Sequence, residues 1–228
     1  MTIRVIVVDD QALIRAGLVA LFNAAPGLEV VGEAADGAQA VALAAEVRPD
    51  VIMMDIRMPV LDGVGATRQI MAAPGDSHPR VIVLTTFDLD EYVYTALGEG
   101  ASGFLLKDTP PDRIIAAVHT IAAGDILITP RITHRLIESY AQHHRTTAAR
   151  NPRLTELTAR ETEVLRLVGN GLSNGQIADR LYLSEATVKT HVKRTMGKLR
   201  LTSRAQAVVV AYESGLIVPT PPTNRSPA

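Results

Sequence analysis

The chain has 228 residues, 47% hydrophobic and 21% charged, with a net charge of -1 and no cysteine. Disulfides and thiolate metal centres are excluded, which suits a reducing cytosol. No apolar run approaches the roughly 18 residues of a membrane span, and Asp9 and Asp10 interrupt the start too early for a secretion signal, so the expected location is cytoplasmic, with no membrane partner. The near-neutral total hides a division: net -8 over residues 1–122, +2 over 123–150 and +5 over 151–228. An acidic front and a basic back argue for two modules with different partners.

In chain order, the front module alternates short Val/Ile-rich runs with amphipathic stretches. The runs at Ile3–Val8, Glu29–Gly32, Val51–Met54, Val81–Leu84 and Gly103–Leu106 read as strands, and their continuity of apolar residues predicts parallel strands covered on both faces. Helices are predicted near 11–24, 37–47, 62–72, 89–98 and 110–122. The fold class is a doubly wound α/β domain with a five-stranded parallel sheet over residues 1–122. Residues 123–153 read as a linker with one helix, which starts at Thr129-Pro130. Within it "QHHRTTAARNPR" has almost no apolar periodicity, and His143 and His144 have no further ligand at useful spacing for a metal. From 154 to 217 the pattern is all helical, with helices predicted at 159–169, 174–181, 185–199 and 203–214, and the tail 218–228 has no packable face.

A sheet of this kind binds ligands at the carboxyl ends of its strands. Asp9 and Asp10 follow the first strand, Asp55 the third, Thr85 the fourth and Lys107 the fifth. Each alone has an ordinary explanation: a helix cap, the start of a loop, a strand-end hydroxyl. Together they predict one crevice in which three carboxylates form a hard-oxygen site suited to Mg²⁺. The cation would also hold the mutually repelling acids ionised. Such a pocket favours phosphoryl transfer, with Asp55 as nucleophile and with Mg²⁺, Lys107 and Thr85 neutralising the phosphoryl oxygens. Asp62 and Gly63 are expected to shape the following loop.

In the rear module, Thr158 opens a capping-box pattern with Glu161, and Ser173 and Ser184 stand where they can cap the next two helices. Only "YLS" separates the helices at 174–181 and 185–199, the tight turn of a helix-turn-helix. On 185–199, Val188, Val192, Met196 and Leu199 recur at three and four and should face the core, whereas Ala186, Lys189, Thr190 and Lys193 form another face. Ser184 to Arg200 holds five bases and one acid, a surface suited to a DNA major groove. His191 could pack or touch phosphate.

The motifs "VVDDQ", "MMDIRMPVLDG", "VLTTFD" and "GFLLKD" resemble the receiver domain of bacterial response regulators, and the rear module resembles the LuxR-type helix-turn-helix. The whole chain is thus similar to a NarL/FixJ-family regulator. The resemblance implies a flavodoxin-like strand order of 2-1-3-4-5 and four helices behind it. It implies that Asp55 accepts phosphate from a sensor histidine kinase, that Asp9, Asp10, Asp55 and the Arg57 backbone carbonyl hold Mg²⁺, and that Thr85 and Phe104 are switch positions. For the rear module it implies a DNA partner, contacts from Thr187, Lys189, Thr190, Lys193, Arg194 and Arg200, and a homodimer when phosphorylated. Two departures stand out. Asp108, not proline, follows Lys107, which leaves a cis bond there open. Arg200 occupies the usual glycine position after "KL", so the helix is expected to run on or fray. Two alternatives stay open: a phosphorylation-independent DNA binder with a vestigial receiver, and a Mg²⁺-dependent phosphohydrolase, which would need a general acid where Arg57 stands.

Overall fold

A computed structural model describes residues 2–74, 78–85, 91–123 and 152–217. Its front part alternates β1 (Ile3–Val8), α1 (Ala12–Ala24), β2 (Leu28–Ala34), α2 (Gly37–Val47), β3 (Val51–Asp55), α3 (Gly63–Ala72), β4 (Arg80–Thr85), α4 (Glu91–Gly98), β5 (Gly103–Leu106) and α5 (Pro111–Ala122). The strands are all parallel in the order β2-β1-β3-β4-β5. This is the expected doubly wound topology.

The alternation of side chains along a strand divides the core in two. Val5 and Val7 of β1 and Val51 and Met53 of β3 point to one side, where Leu18, Phe22, Ala117, Val118 and Ile121 of α1 and α5 cover them. Ile6, Val8, Ile52 and Met54 point to the other, under Ala40, Ala44, Val64, Ile70 and Leu97 of α2, α3 and α4. β3 is buried along its whole length, so its last residue, Asp55, is carried to the sheet edge by a strand with no exposed position.

The rear part opens with a short 3-10 helix, Pro152–Glu156. Then come α6 (Ala159–Gly169), α7 (Asn174–Leu181), α8 (Glu185–Leu199) and α9 (Arg204–Glu213). Ser173 and Ser184 cap α7 and α8 as expected, and Thr158 with Glu161 completes the capping box of α6. A third apolar cluster, including Val164, Leu165, Val168, Ile177, Val188, Leu199, Val208 and Ala211, joins these helices. The helix expected from Thr129, the pair His143 and His144, and the tail 218–228 lie outside the described residues.

Two expectations for α8 are corrected. Thr195 is 1% exposed, with a hydroxyl that meets no partner, while Met196 is only half-buried. The 3.6-residue period places 195 nearer the seam through Val188 and Leu199 than 196. The helix also neither runs on nor frays. Arg200 takes the left-handed conformation (φ 57, ψ 43), and the Arg200 and Leu201 amides close back on Gly197 and Met196. A side chain in that conformation costs about 1 kcal/mol relative to glycine.

α9 also touches the front domain. Ala205 is fully buried among residues of α3 and α4, with Val209 packed beside it, and Gln206 Nε2 donates to the Gly98 carbonyl at 2.7 Å. Gly100, at φ +110, lets the two parts close: a Cβ there would lie 2.8 Å from both Met71 and Thr202.

Arg200→Gly is expected to raise stability by about 1 kcal/mol. A higher urea midpoint at unchanged slope would show it; an unchanged or lower midpoint would mean that the left-handed cap carries no strain.

Candidate functional site

β1 and β3 are neighbours in parallel register, Val8 opposite Met54. The next residue of each strand is therefore an aspartate at the same edge. Asp9 is fully buried, Asp55 is 4% exposed, and Asp10 beside them faces solvent. One oxygen from each lies within 4.8 Å of the others. From β5, one strand beyond β4, Lys107 reaches across, its Nζ 2.8 Å from Asp9 Oδ2 and 2.9 Å from Asp55 Oδ2. The Lys107 amide donates to the Thr85 carbonyl at 2.8 Å, which fixes the two strand ends side by side. Thr85 is buried at the end of β4. The strand ends that the sequence marked thus converge.

The electrostatics are those of a crowded acidic pocket. Burial pushes the Asp55 carboxyl above the usual carboxylate range; Lys107 opposes this, Asp9 adds to it, and a backbone hydrogen bond from Arg57 lowers it again. Burial would pull the Lys107 ammonium down, but its contacts with Asp55 and Asp9 outweigh that and hold it above the ordinary lysine value. Three carboxylates against one ammonium leave two negative charges in one crevice. Asp9 Oδ1 accepts from the Gln11 amide at 2.9 Å. Asp9 Oδ2 is buried and makes no well-angled hydrogen bond beside its ion-pair contact. The excess charge and the all-oxygen donor set fit a hard divalent cation.

Other pieces hold the pocket in shape. Arg15, one turn into α1, donates through Nη1 to the Asp9 carbonyl at 2.7 Å and pairs with Glu33 at 3.4 Å. The sequence reading passed over it, although its place one turn after Gln11 was a usable signal. Asp62 caps α3 by accepting from the Gly65 amide at 2.7 Å, and a Cβ on Gly63 would lie 2.0 Å from the Asp55 carbonyl. Only glycine lets α3 start that close to the end of β3. The Lys107–Asp108 peptide is trans. Phe104 is 3% exposed in the cluster that also holds Leu97 and Ala205, so it connects the pocket strand with the surface that meets α9.

On α8, Lys189, Thr190, Lys193, Arg194 and Arg200 are exposed, whereas Thr187 is half-buried with its hydroxyl 2.8 Å from that of Ser184 in the helix cap. Lys189 pairs with Glu185 at 3.0 Å with both side chains about half exposed, a contact worth little in water. The Thr190 hydroxyl donates to the Ala186 carbonyl at 3.0 Å, and His191 is half-buried. Lys198 behaves differently: its Nζ is 2.6 Å from Glu161 Oε2, a carboxylate 5% exposed. Together with the Thr158 amide it holds the Glu161 carboxyl at a pKa of about 2. Among the described residues no helix is long and apolar enough to cross a membrane.

Residues 5–119 match the family model described as a response regulator receiver domain, and residues 155–211 match that of the bacterial regulatory proteins of the luxR family. The transcriptional regulatory protein YxjL of Bacillus subtilis, described as uncharacterized, is 41% identical over 216 residues, covering 94% of this chain and 97% of its own. The nitrate/nitrite response regulator protein NarL of Escherichia coli strain K12 is 36% identical over 209 residues, covering 92% and 94%. The crystal structure of the response regulator ChrA, from a heme-sensing two-component system, superposes with a TM-score of 0.50 at 34% identity, over 95% of this chain and 99% of that one.

The folded Glu161 value lies below that of an ordinary glutamate, so its contribution to stability is complete above pH 4.5 and is lost as pH falls through about 2. Wild type should therefore lose more stability than Glu161→Gln across that window, read by urea midpoints; parallel curves would show that the pair contributes nothing.

Proposed function

The chain belongs to the response regulators that join a receiver to a LuxR-type DNA-binding domain, and on that premise we propose that Asp55 is its phosphoryl acceptor and the exposed surface of α8 its DNA reader. The observation that carries the reading is Lys107 lying within 3 Å of both Asp9 and Asp55 in a three-carboxylate pocket. An Asp55 oxygen attacks the phosphorus of a phosphohistidine on a sensor kinase. The P–O bond forms as the P–N bond breaks, and the imidazole nitrogen leaves with the electron pair. Mg²⁺, held by Asp9, Asp10, Asp55 and the Arg57 carbonyl, would supply positive charge to the phosphoryl oxygens. Lys107 stands where it can follow that charge as it moves onto Asp55, and the Thr85 hydroxyl donates to a phosphoryl oxygen.

The receiver spans residues 1–122 in this reading, the linker 123–153 and the DNA-binding unit 154–217, all in the cytoplasm. The acyl phosphate adds charge beside Thr85 and Phe104. Phe104 belongs to the same cluster as Ala205, so its repacking loosens the hold of α3 and α4 on α9 and frees the rear module. Two copies then pair as a homodimer on two half-sites, gaining affinity through effective concentration. Thr187, Lys189, Thr190, Lys193, Arg194 and Arg200 supply the DNA contacts, the lysines and arginines meeting phosphate or guanine edges.

Asp55→Asn is expected to abolish labelling by a small acyl-phosphate donor and, with it, any donor-induced footprint on promoter DNA. Label retained on the variant would overturn the assignment. Lys189→Ala and Lys193→Ala should each flatten the dependence of log K on log salt by about 0.9; unchanged slopes in both would remove this docking face.

A further inference from the structure

Two adjacent residues in the first turn of α6 reach the turn before α8 and the last turn of α8. Arg160 Nη2 donates to the carbonyl of Leu181, the last residue of α7, at 3.1 Å, while Arg160 Nη1 is tied to Glu163 at 2.6 Å. Glu161 Oε2 receives Lys198 Nζ, in the last turn of α8, at 2.6 Å and the Thr158 amide at 2.8 Å. One grip lies just before α8 starts and the other just before it ends. At 1.5 Å per residue, the 15 residues of α8 span about 22 Å.

The apolar seam under α8 is thin. Its buried residues are Val188, Thr195 and Leu199, and Thr195 brings a hydroxyl with no partner. Such a seam holds the helix down better than it fixes its tilt about an axis across the helix. A pivot of about 5° over a 20 Å arm moves the far end by about 1.7 Å, enough to take a base-edge hydrogen bond out of its 2.7–3.2 Å range. The two polar grips act at the ends, where leverage against pivoting is largest. At 100° per residue Lys198 lies opposite Lys189 and about 140° from Lys193, on the flank of Thr187 and Arg194, and what sets it apart from those two is its contact with Glu161.

We propose that Arg160, Glu161 and Lys198 form a positioning clamp that sets the tilt of α8 and so governs sequence discrimination rather than general affinity for DNA. The inference rests on α8 being the groove-reading helix. Lys198 is then not a phosphate contact, although composition counts it among the basic residues of α8.

The test uses the full-length chain treated with an acyl-phosphate donor and two probes: a duplex selected by the wild type from a random pool, and an unselected random duplex of equal length. Lys198→Met is expected to lower the ratio of selected to random binding about tenfold while the salt slope on the random duplex stays at the wild-type value. Lys198→Arg, which keeps the reach to Glu161, should restore the ratio to within about threefold. Thermal unfolding establishes the folded fraction; if Lys198→Met does not fold, Arg160→Met releases the other grip and is read the same way. An unchanged ratio would overturn the clamp. So would equal loss on both duplexes with a salt slope lower by about 0.9, which would make Lys198 an ordinary phosphate contact. Wild type that does not discriminate between the duplexes at all would instead remove the DNA-reading function itself.

Discussion

Two like charges held together by backbone register are the constraint around which the front domain is built. Asp9 and Asp55 end neighbouring parallel strands at the same level, so the ladder that binds β1 to β3 also forces their carboxylates into one crevice. Lys107 relieves part of the repulsion from β5, which makes the order of the strands as important as their identity. Three carboxylates against one ammonium leave the pocket net negative, and a divalent cation would offset that charge.

Much of this was legible in the sequence, for reasons that differ by element. The strands could be read because a sheet covered on both faces needs unbroken apolar runs, and β1 and β3 have them. Asp9, Asp10, Asp55, Thr85 and Lys107 could be read because each follows such a run, and parallel strands bring their carboxyl ends to one edge whatever the loop lengths. The helix starts at Thr158, Ser173 and Ser184 could be read because capping is local chemistry. What stayed hidden was long-range. Nothing near Lys198 in the chain announces Glu161, 37 residues away, and nothing near Ala205 announces α3 and α4. Arg200 was misjudged because the cost of a left-handed arginine was weighed without the two local hydrogen bonds, to Gly197 and Met196, that close the turn around it.

The rear domain holds its third helix, α8, in an unusual balance. Three features of α8 oppose stability or gain little from burial: a left-handed arginine at its end, a buried hydroxyl without a partner, and a narrow apolar seam. Against them stand the cap at Ser184 and the charged contact at Glu161. The Lys198 ammonium and the Thr158 amide outweigh what desolvation there is and keep this carboxylate ionised. Among the basic residues of α8, one is thus engaged with the neighbouring helix α6, although its own side chain is 37% exposed.

No residue of α9 from Arg204 to Glu213 is fully exposed. Ala207, Val208 and Ala211 serve the rear core, Ala205 and Val209 lie against the front one, and the Arg204 guanidinium fastens the start of the helix to Leu172 and Asn174. One short helix is thus a shared wall between two rooms. While that wall stands, heat or denaturant that softens either domain exposes apolar surface belonging to both, and the stability of each is tied to the other's.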